Sequence, residues 1–578
     1  MSQNDFTIAN QGFPAFRADL NTALQALASN NSGTSAPSTT FANMWWYDSA
    51  NNIMYIRNED NDAWIKFAEL DQTNDKFILS GTLQLDDGSV SAPALTFNSD
   101  TNMGIYRGGT DILRFVTAGV DRLQISADGS ISTPTSGTSN FRAGVNAGNS
   151  IVSGGKFNVL IGDEAGTAIT TGDSNVAIGY QALMTEDAHG LNTAIGYQAL
   201  KTLNAGAEAY NTGIGYNAGL SLQTGTQNTL IGAFSGDALT TGLNNVAVGY
   251  LSLSADTTGN RSVAIGRIAL SVQNFTDGTN AYNVAVGYNA GGSVTTGTNN
   301  TLIGGLAGDA LTDADNNTAV GFEAMSGNAN GSAVVAIGYR SFKTLNYDNA
   351  TDALNVGVGN NTGTAATTAQ SSTFIGHGAG SGVTTGSENI CIGRDAGNHE
   401  RSLQTGGSNT LIGAFTDTSA TDSASQIVLG RNVTGSGNAT FTFGNNTSDS
   451  AIANGATSIS APSDIRLKED IEDETVGLEF INELRPVTFR WKKAKDVPSE
   501  MKAHSDSEER VMNGKYNHGF IAQEVKSVID KYDIKDGFGM WVEDEADGRQ
   551  RIAEGELMSI LVKAVQELSA EVKKLKGE

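Results

Sequence analysis

A short pattern of alternating side chains recurs through the middle of the chain. In the segment 175–180 the larger residues Val176 and Ile178 alternate with the smaller residues Ala177 and Gly179. A period of two residues predicts a β-strand. The face that carries only Ala and Gly is nearly bare, which predicts that another backbone approaches it closely.

This strand belongs to a repeated phrase: Asn, two residues, a branched aliphatic residue and Gly. Most copies are 17 residues apart, and a few steps lengthen to 19, 20 or 21. The copies begin at Asn158, Asn175, Asn192, Asn211, Asn228, Asn245, Asn283, Asn300, Asn317, Asn355, Asn389 and Asn409, with degenerate copies at Ser262, Val334, Ser372 and Gln426. A fixed period over so many copies predicts a solenoid, in which each coil contacts only its neighbours.

The coil between two strands also follows a pattern. Phrases such as Thr170-Thr-Gly172 precede the next Asn, and their Gly is predicted to take positive φ so that the chain doubles back. The recurring Asn suits either a turn or a ladder of stacked amides. A coil of this length has room for about two short strands and two turns. Cys391 falls within a strand phrase and is interpreted as a small core residue.

The residues before the array predict smaller elements. Apolar side chains at helical spacing predict one amphipathic helix: Phe13, Phe16, Leu20, Leu24 and Leu27. Residues 44–57 predict a hairpin whose Trp45 and Trp46 form either a small core or a carbohydrate platform, with the core favoured. Residues 76–135 predict short strands, with a tight turn at Asp128-Gly129. Such strands bury little in one chain, so further copies are expected to complete the core.

The composition changes after residue 462, where glycine becomes sparse and helical patterns begin. Three phrases mark this α+β segment: Ser463–Ile471, Leu478–Trp491 and His518–Val525. A final helix carries apolar residues in alternating steps of three and four, which predicts a coiled-coil seam: Met558, Leu561, Val565, Leu568, Val572 and Leu575.

The predicted fold class is therefore mainly β. We expect an elongated homotrimeric fibre of β-roll or β-solenoid repeats, with a small N-terminal module and a C-terminal α+β domain that ends in a coiled coil. The predicted divisions are 1–75 (N-terminal module), 76–157 (short-strand shaft), 158–430 (repeat array), 431–462 (β-rich tail) and 463–578 (C-terminal domain).

Charge and composition narrow the functions further. The 62 acidic residues exceed the 36 Lys and Arg residues, and a formal charge of −26 argues against nucleic acid as a partner. A single cysteine excludes an internal disulfide. No secretory pattern and no long apolar run is evident, so we expect assembly in a cytoplasm without membrane insertion. The five histidines lack metal-ligand spacing, and the acidic turn at 313–317 is interpreted as a solvated loop; no metal or cofactor is predicted.

Several of these motifs resemble known families. The array resembles the head repeats of trimeric autotransporter adhesins, which also occur in phage tail fibres, and this implies a parallel β-roll in a homotrimer. Residues 1–75, with their Phe-x-x-Phe-Arg-x-Asp-Leu-Asn segment and double Trp, are similar to the N-terminal module of marine phage tail fibres. That likeness implies attachment to a phage tail or baseplate protein. The phrase at 97–107 is common in phage fibre shafts.

The three C-terminal phrases resemble the intramolecular chaperone of phage tailspikes, tail fibres and endosialidases, a domain also found in a membrane-bound myelin transcription regulator. The resemblance implies that the domain trimerises, templates the β-fibre upstream and then cuts itself off before the Ser of its Ser-Asp phrase. By position it assigns cleavage to the Pro462–Ser463 bond, with Ser463 and Lys468 as the catalytic dyad.

The chemistry is consistent with this assignment. A serine hydroxyl needs an adjacent base, and a lysine can act as one where desolvation lowers its pKa. Ser463 adjoins the carbonyl of Pro462, so its attack there is intramolecular, although the proline stiffens the bond. Asp464 either orients the Ser463 loop or caps the following turn.

The function predicted from these features is a homotrimeric phage tail fibre in the virion tail. Its expected partners are a tail or baseplate protein and a host-surface receptor, a polysaccharide or an outer-membrane component. The alternatives are a tailspike that degrades polysaccharide and, disfavoured by the missing export signal and anchor, a bacterial surface adhesin. Receptor contacts are predicted in the inserted loops Asn204–Tyr210, Phe275–Tyr282 and Leu345–Ala353, because loops vary without disturbing the stack.

Overall fold

The protein is described from a computed structural model, which divides into two compact units, Met1–Ala461 and Pro462–Glu578. The structure describes residues 12–28, 31–80, 82–446, 448–456, 459–460, 463–501, 503–512, 514–532, 534, 538–543 and 548–577. Within these ranges no helix has the length and apolar character needed to cross a membrane.

The first unit begins with the predicted helix, α1 (Phe13–Ala28), followed by a five-stranded sheet. Its strands are β1 (Ser32–Gly33), β2 (Trp45–Asp48), β3 (Ile53–Arg57), β4 (Trp64–Asp71) and β5 (Lys76–Leu79). The antiparallel pair β2–β3 is the predicted hairpin. Trp46 is buried and stacks on Tyr55 with ring centres 4.9 Å apart, beside Trp64 at 5.5 Å. This packing confirms the interpretation of Trp46 as core.

A second sheet follows, in which all strand pairs are antiparallel. It contains β6 (Leu95–Phe97), β7 (Asp100–Gly109), β8 (Ile112–Thr117), β9 (Val120–Ile125) and β10 (Ile131–Ser132). The predicted turn joins β9 to β10: Gly129 takes φ of 83°, and its N–H donates to the Ser126 carbonyl at 2.8 Å.

The remainder of the unit is a β-solenoid built around one 19-stranded sheet. Its strands are β11 (Phe141–Ala143), β12 (Val159–Ile161), β13 (Val176–Ile178), β14 (Thr193–Ile195), β15 (Thr212–Ile214), β16 (Thr229–Ile231), β17 (Val246–Val248), β18 (Val263–Ile265), β19 (Val284–Val286), β20 (Thr301–Ile303), β21 (Thr318–Val320), β23 (Val335–Ile337), β25 (Val356–Val358), β26 (Thr373–Ile375), β27 (Ile390–Ile392), β28 (Thr410–Ile412), β29 (Ile427–Arg431), β30 (Thr440–Asn445) and β31 (Ser448–Ala453), and a separate pair consists of β22 (Gly331–Ser332) and β24 (Thr351–Asp352). The sheet is parallel up to β30, and β31 closes it as an antiparallel partner.

The coils from β11 to β28 each contribute one three-residue strand to this sheet, and only two of them add a second strand, β22 or β24, where two strands per coil were expected. The other sides of the coil consist of turns whose amides bond to the next coil, as Gly166 N–H does to the Ala182 carbonyl at 2.9 Å. The sheet also begins at Phe141, which precedes the first Asn-x-x-Ile-Gly phrase. A turn can therefore replace a strand wherever the neighbouring coil satisfies its backbone groups.

The middle residue of each three-residue strand of this sheet from β12 to β28 faces the solenoid core, which corrects the expectation that this residue lies on a nearly bare face. Ala177 is fully buried there, and other coils place Leu160, Leu230 or Phe374 at the same position. Cys391 also lies at this position, and burial raises the pKa of its thiol to about 12. Its interpretation as a core residue is confirmed. The outer strand residues, such as Val176 and Ile178, remain half-buried.

The recurring asparagines form a buried ladder, the second of the two roles considered for them. The Oδ1 of Asn228 accepts the backbone N–H of Asn245 at 2.9 Å, and its Nδ2 donates to the carbonyl of Gly242 at 2.9 Å. The Nδ2 also lies 3.2 Å from Oδ1 of Asn211 in the preceding coil. Each side chain thus joins consecutive coils and satisfies backbone groups that water cannot reach.

Positive φ occurs at a different glycine from the one expected. It falls on the Gly that ends each strand phrase, with φ of 124° at Gly162 and 131° at Gly179. There the next coil's backbone lies where a Cβ would be. Gly172 of the Thr-Thr-Gly phrase is instead needed for close approach, because a Cβ would collide with the carbonyl of His189.

The C-terminal unit is a small α+β structure. Its elements are α2 (Leu478–Glu483), β32 (Val487–Phe489), β33 (Asn517–Gly519), α3 (Ala522–Ile529), β34 (Trp541–Glu543), β35 (Gln550–Ile552) and α4 (Leu557–Lys576). Phe480 of α2 is fully buried against Val525 of α3 and Ile560 of α4. Glu567 of α4 caps α2 by accepting the N–H of Leu478 at 2.8 Å.

Helix α4 has two apolar faces. Leu557, Ile560 and Ala564 are buried in the unit's core. The residues of the predicted coiled-coil seam lie instead on exposed surface: Met558, Leu561, Val565, Leu568, Val572 and Leu575. One chain therefore leaves a long apolar strip of α4 uncovered.

Candidate self-cleavage site

The candidate site is a tight turn at the start of the C-terminal unit. Residues Ile465–Leu467 form one turn of 3₁₀-helix, in which Leu467 N–H donates to the Asp464 carbonyl at 3.0 Å. The N–H of Lys468 donates to the Ile465 carbonyl at 3.2 Å. An extended chain of five residues would span about 17 Å, whereas a 3₁₀ turn rises only about 2 Å per residue. The turn thus brings the ends of the Ser-Asp phrase together.

Asp464 stabilises the turn as its N-cap. Its Oδ1 accepts the backbone N–H of Arg466 at 2.9 Å, which satisfies one of the free donors at the start of the turn. The Arg466 guanidinium also bonds to both carboxylate oxygens, with Nε 3.0 Å from Oδ1 and 3.1 Å from Oδ2. These bonds lower the pKa of Asp464. Of the two roles proposed for Asp464, the structure supports the cap.

The turn places the two predicted catalytic side chains in contact. Lys468 Nζ lies 2.7 Å from Ser463 Oγ, within hydrogen-bonding distance for proton transfer. Both side chains are exposed. One chain thus brings the hydroxyl and the amine together at a position that is open to solvent. Pro462, the other residue of the predicted cleavage site, lies outside the described residues.

A family model matches this part of the chain. Residues 463–534 match the family described as chaperone of endosialidase. The match begins at Ser463 and includes the turn, α2, β32, β33 and α3 of the chaperone-family segment. No curated protein and no solved structure matches the chain. The segment is followed by β34, β35 and α4, which pack on the same core.

The predicted receptor loops all open at one corner of the solenoid. The asparagines Asn204, Asn274 and Asn346 occupy equivalent register positions, and each donates its N–H to the next coil at 2.7–2.9 Å. The loop tips 206–208, 276–278 and 348–350 are exposed. The insertions therefore line up on the same side of the stack.

Some of the residues named for these loops face the core instead of solvent. Phe275, Leu345 and Ala353 are buried, because the chain enters and leaves each insertion through core positions. Tyr210 and Tyr282 are about half exposed, and Asn204 is exposed. Only the tips and these exposed ends can contact a receptor directly, which corrects the assignment of the three buried residues.

Two insertions also repair gaps in the asparagine ladder, a role that sequence reasoning missed. Where Ser262 replaces Asn, Oε1 of Gln273 accepts a hydrogen bond from Nδ2 of Asn283 at 2.9 Å. Where Val334 replaces Asn, the Tyr347 hydroxyl takes the same place, 3.1 Å from Nδ2 of Asn355. The sequence did contain a signal for this role, because each missing Asn is followed by a step of 21 residues instead of 17.

Among the described residues, one group has the composition of a metal site. Single ligand atoms of Glu186, Asp187 and His189 lie within 4.8 Å of one another. Glu186 is fully buried at a position that neighbouring coils fill with Ile169 and Leu203, and it accepts the N–H groups of His189 and Ala205 at 3.3 Å. Burial raises the pKa of Glu186. Its carboxylate thus acts as a hydrogen-bond acceptor for nearby backbone N–H groups.

Proposed function

We propose that this protein is a homotrimeric phage tail fibre whose C-terminal unit templates trimer folding and then cuts itself off before Ser463. The observation that carries the proposal is the Ser463–Lys468 contact at the first residue of a chaperone-family match. The long β-solenoid supplies the fibre that such a domain would template. The virion tail is the proposed location, reached after assembly in the host cytoplasm.

The dyad supports a complete reaction. Lys468 Nζ takes the proton from Ser463 Oγ, which forms a bond to the carbonyl carbon of residue 462. The C–N bond to Ser463 then breaks, the released amine takes the proton back from Lys468, and residue 462 remains attached through an ester. Water hydrolyses the ester and restores the Ser463 hydroxyl. Each step is intramolecular or uses water alone.

Uncovered apolar surface in both units favours association with further copies. The outer strand residues of the solenoid form a stripe along successive coils, and Ile265, Ile303 and Ile412 are each more than a third exposed. The seam of α4 adds a second uncovered strip. Large contiguous apolar patches mark interaction surfaces, and a closed ring of identical chains buries such a surface in every copy.

Cleavage is tested with the full-length chain. The unsubstituted protein should yield a fragment that begins at Ser463, identified by N-terminal sequencing. Ser463→Ala and Lys468→Ala should each remain full length and still form trimers by light scattering, because only the chemistry is lost. Cleavage of the Ser463→Ala chain at this bond would contradict the assignment of the nucleophile.

The solenoid corner that carries the inserted loops is proposed as the receptor-binding surface, and the N-terminal module is proposed to attach to a tail or baseplate protein. The loop tips are exposed, whereas the coils beneath them are fixed by core positions. The exposed apolar residues of α1, such as Phe13 and Leu27, suit contact with a virion protein.

Charge reversal at the loop tips tests the receptor surface without disturbing the ladder. Asp277→Lys and Asp348→Lys alter exposed tips, so they should preserve the trimer and reduce adsorption of the fibre to host cells. Asp313→Lys is the matched control, since Asp313 is exposed at the same corner of a coil without an insertion. Equal adsorption by all three variants and the unsubstituted fibre would refute the placement.

A further inference from the structure

Asp464 carries a negative charge beside the dyad and so can compete with the Ser463 hydroxyl for the Lys468 ammonium. Asp464 directly follows Ser463, and Lys468 reaches back over the turn to the Ser463 hydroxyl. Asp464 begins this one-turn 3₁₀-helix and Lys468 ends it, so the turn carries both a carboxylate and the ammonium that would pair with it. An ammonium held by a carboxylate keeps its proton more firmly and is a weaker base. The turn therefore needs Asp464 as a cap but not as a partner for Lys468.

We propose that Arg466 is a positioning residue of the self-cleavage reaction: it occupies the Asp464 carboxylate and thereby leaves Lys468 to Ser463. This inference rests on the proposed self-cleavage and adds a residue that the dyad itself does not include. Among the described residues Arg466 has no hydrogen bond to Ser463, and we propose that it acts through Asp464.

The geometry around Asp464 fits this role. The Arg466 side chain bonds to both oxygens of the carboxylate, and its backbone N–H adds a further bond to Oδ1. A planar guanidinium can span a carboxylate in this way, whereas an ammonium acts as a single point of charge. Both oxygens are thus engaged, and within the part of the chain that the structure describes, the one side-chain hydrogen bond of Lys468 is to Ser463.

Electrostatics and accessibility support the same reading. The bonds from Arg466 are the largest cause of the lowered pKa of Asp464, so the carboxylate stays charged and paired. The other charged side chains beside the dyad in sequence are Glu469 and Asp470, which follow Lys468 along the chain. The Arg466 side chain is 84% exposed, so it contributes little packing and its replacement should spare the fold.

The test compares the pH dependence of cleavage in the full-length chain. Each variant is made by cell-free synthesis at about pH 6, where a lysine base is protonated, and is then shifted to buffers up to about pH 10. The fraction cut is followed over time on gels. For Arg466→Ala the pH of half-maximal rate should rise by about 0.5 to 1 unit, the modest shift expected for an exposed pair. At neutral pH this corresponds to cleavage about three- to tenfold slower.

Two further variants separate competition from simple damage to the turn. Arg466→Lys keeps a cation beside Asp464 but cannot span both oxygens, so its pH midpoint should lie between those of Arg466→Ala and the unsubstituted chain. Asp464→Asn combined with Arg466→Ala keeps an oxygen that can cap the turn but removes the competing charge, so its pH midpoint should return to that of the unsubstituted chain. Arg485→Ala removes another exposed ion pair of the same unit, with Glu524, and should change nothing.

The possible results separate the role of Arg466 from self-cleavage itself. Equal slowing of Arg466→Ala at every pH, with no recovery in the double variant, would mean that Arg466 only stabilises the turn and would overturn its role in competition. An unchanged profile would overturn any role. Absence of cleavage in the unsubstituted chain would refute self-cleavage itself and, with it, the role of Arg466.

Discussion

The solenoid buries its central side chains within one chain, whereas the C-terminal unit leaves much of its apolar surface in water. In most coils the middle strand residue and a ladder asparagine are inaccessible to solvent, as Leu230 and Asn228 illustrate. In the C-terminal unit, Phe480 and Ile560 form a small core, yet Val565 and Leu568 of α4 are 63% and 48% exposed. The two regions thus cover their apolar side chains to different extents within one chain.

The physical cause of the difference is that the solenoid satisfies its backbone groups by stacking coil on coil. A coil satisfies its backbone through the coils before and after it, so stability accumulates along the stack. If three copies assemble as we propose, their coils must find a common register, and wrong pairings are traps. On the same proposal, the C-terminal unit associates first through its uncovered helical seam and aligns the three chains at one end. Its removal by cleavage would then leave a fibre whose stability is kinetic.

The strongest test of this comparison removes the C-terminal unit. A chain that ends at residue 462 should be insoluble or monomeric, because nothing aligns its coils. The full-length Ser463→Ala chain is the control, since it retains the template and lacks only the nucleophile. Normal trimers of the shortened chain, seen by light scattering, would show that the solenoid needs no template.

A smaller change should have a similar effect on assembly. Val565→Glu with Leu568→Glu places two charges on the exposed strip of α4 and leaves its buried face intact. We expect the mass measured by light scattering to fall to that of one chain, because burying unpaired charges in a seam is costly. Gln566→Glu, on the exposed surface between them, is the matched control and should still assemble. Trimers of the double variant would exclude a coiled-coil seam.

Within the solenoid, one ladder residue should matter more than its neighbours. Asn228→Ala leaves the buried N–H of Asn245 and the carbonyl of Gly242 without partners, at a cost of about 1–3 kcal/mol for each group. Hydrogen exchange measured by mass spectrometry should accelerate at least about tenfold in peptides that span 228–245. Gln223→Ala removes an exposed amide from the same coil and should leave exchange unchanged.

The smallest predicted effect concerns a buried carboxylate. Burial raises the pKa of Glu186 above its usual 4.5, so the folded state favours the protonated form. Its contribution to stability is fully present below pH 4.5 and is lost as pH rises through the raised pKa. Glu186→Gln cannot lose a proton, so its Tm should exceed that of the unsubstituted protein by more at about pH 7 than at about pH 4. Glu400→Gln, which is exposed, should show no such trend.

The repeat itself determined much of this architecture. A 17-residue period with alternating side chains is enough to predict stacked coils, because only a stack gives every copy the same environment. The spacing of Ser463 and Lys468 did not single them out; the resemblance of the surrounding phrase to the chaperone family assigned this pair, and the structure places the two side chains in contact. Neither conclusion required knowledge of distant contacts.

Other features depended on contacts between coils and could not be read from one copy. Which strand residue faces the core was decided by the space beside Ala177, and which glycine takes positive φ was decided by the neighbouring backbone at Gly179. Gln273 and Tyr347 fill ladder gaps only because the stack brings them there. Tertiary structure likewise placed Arg466 on Asp464, a pairing that sequence spacing alone permits but does not require.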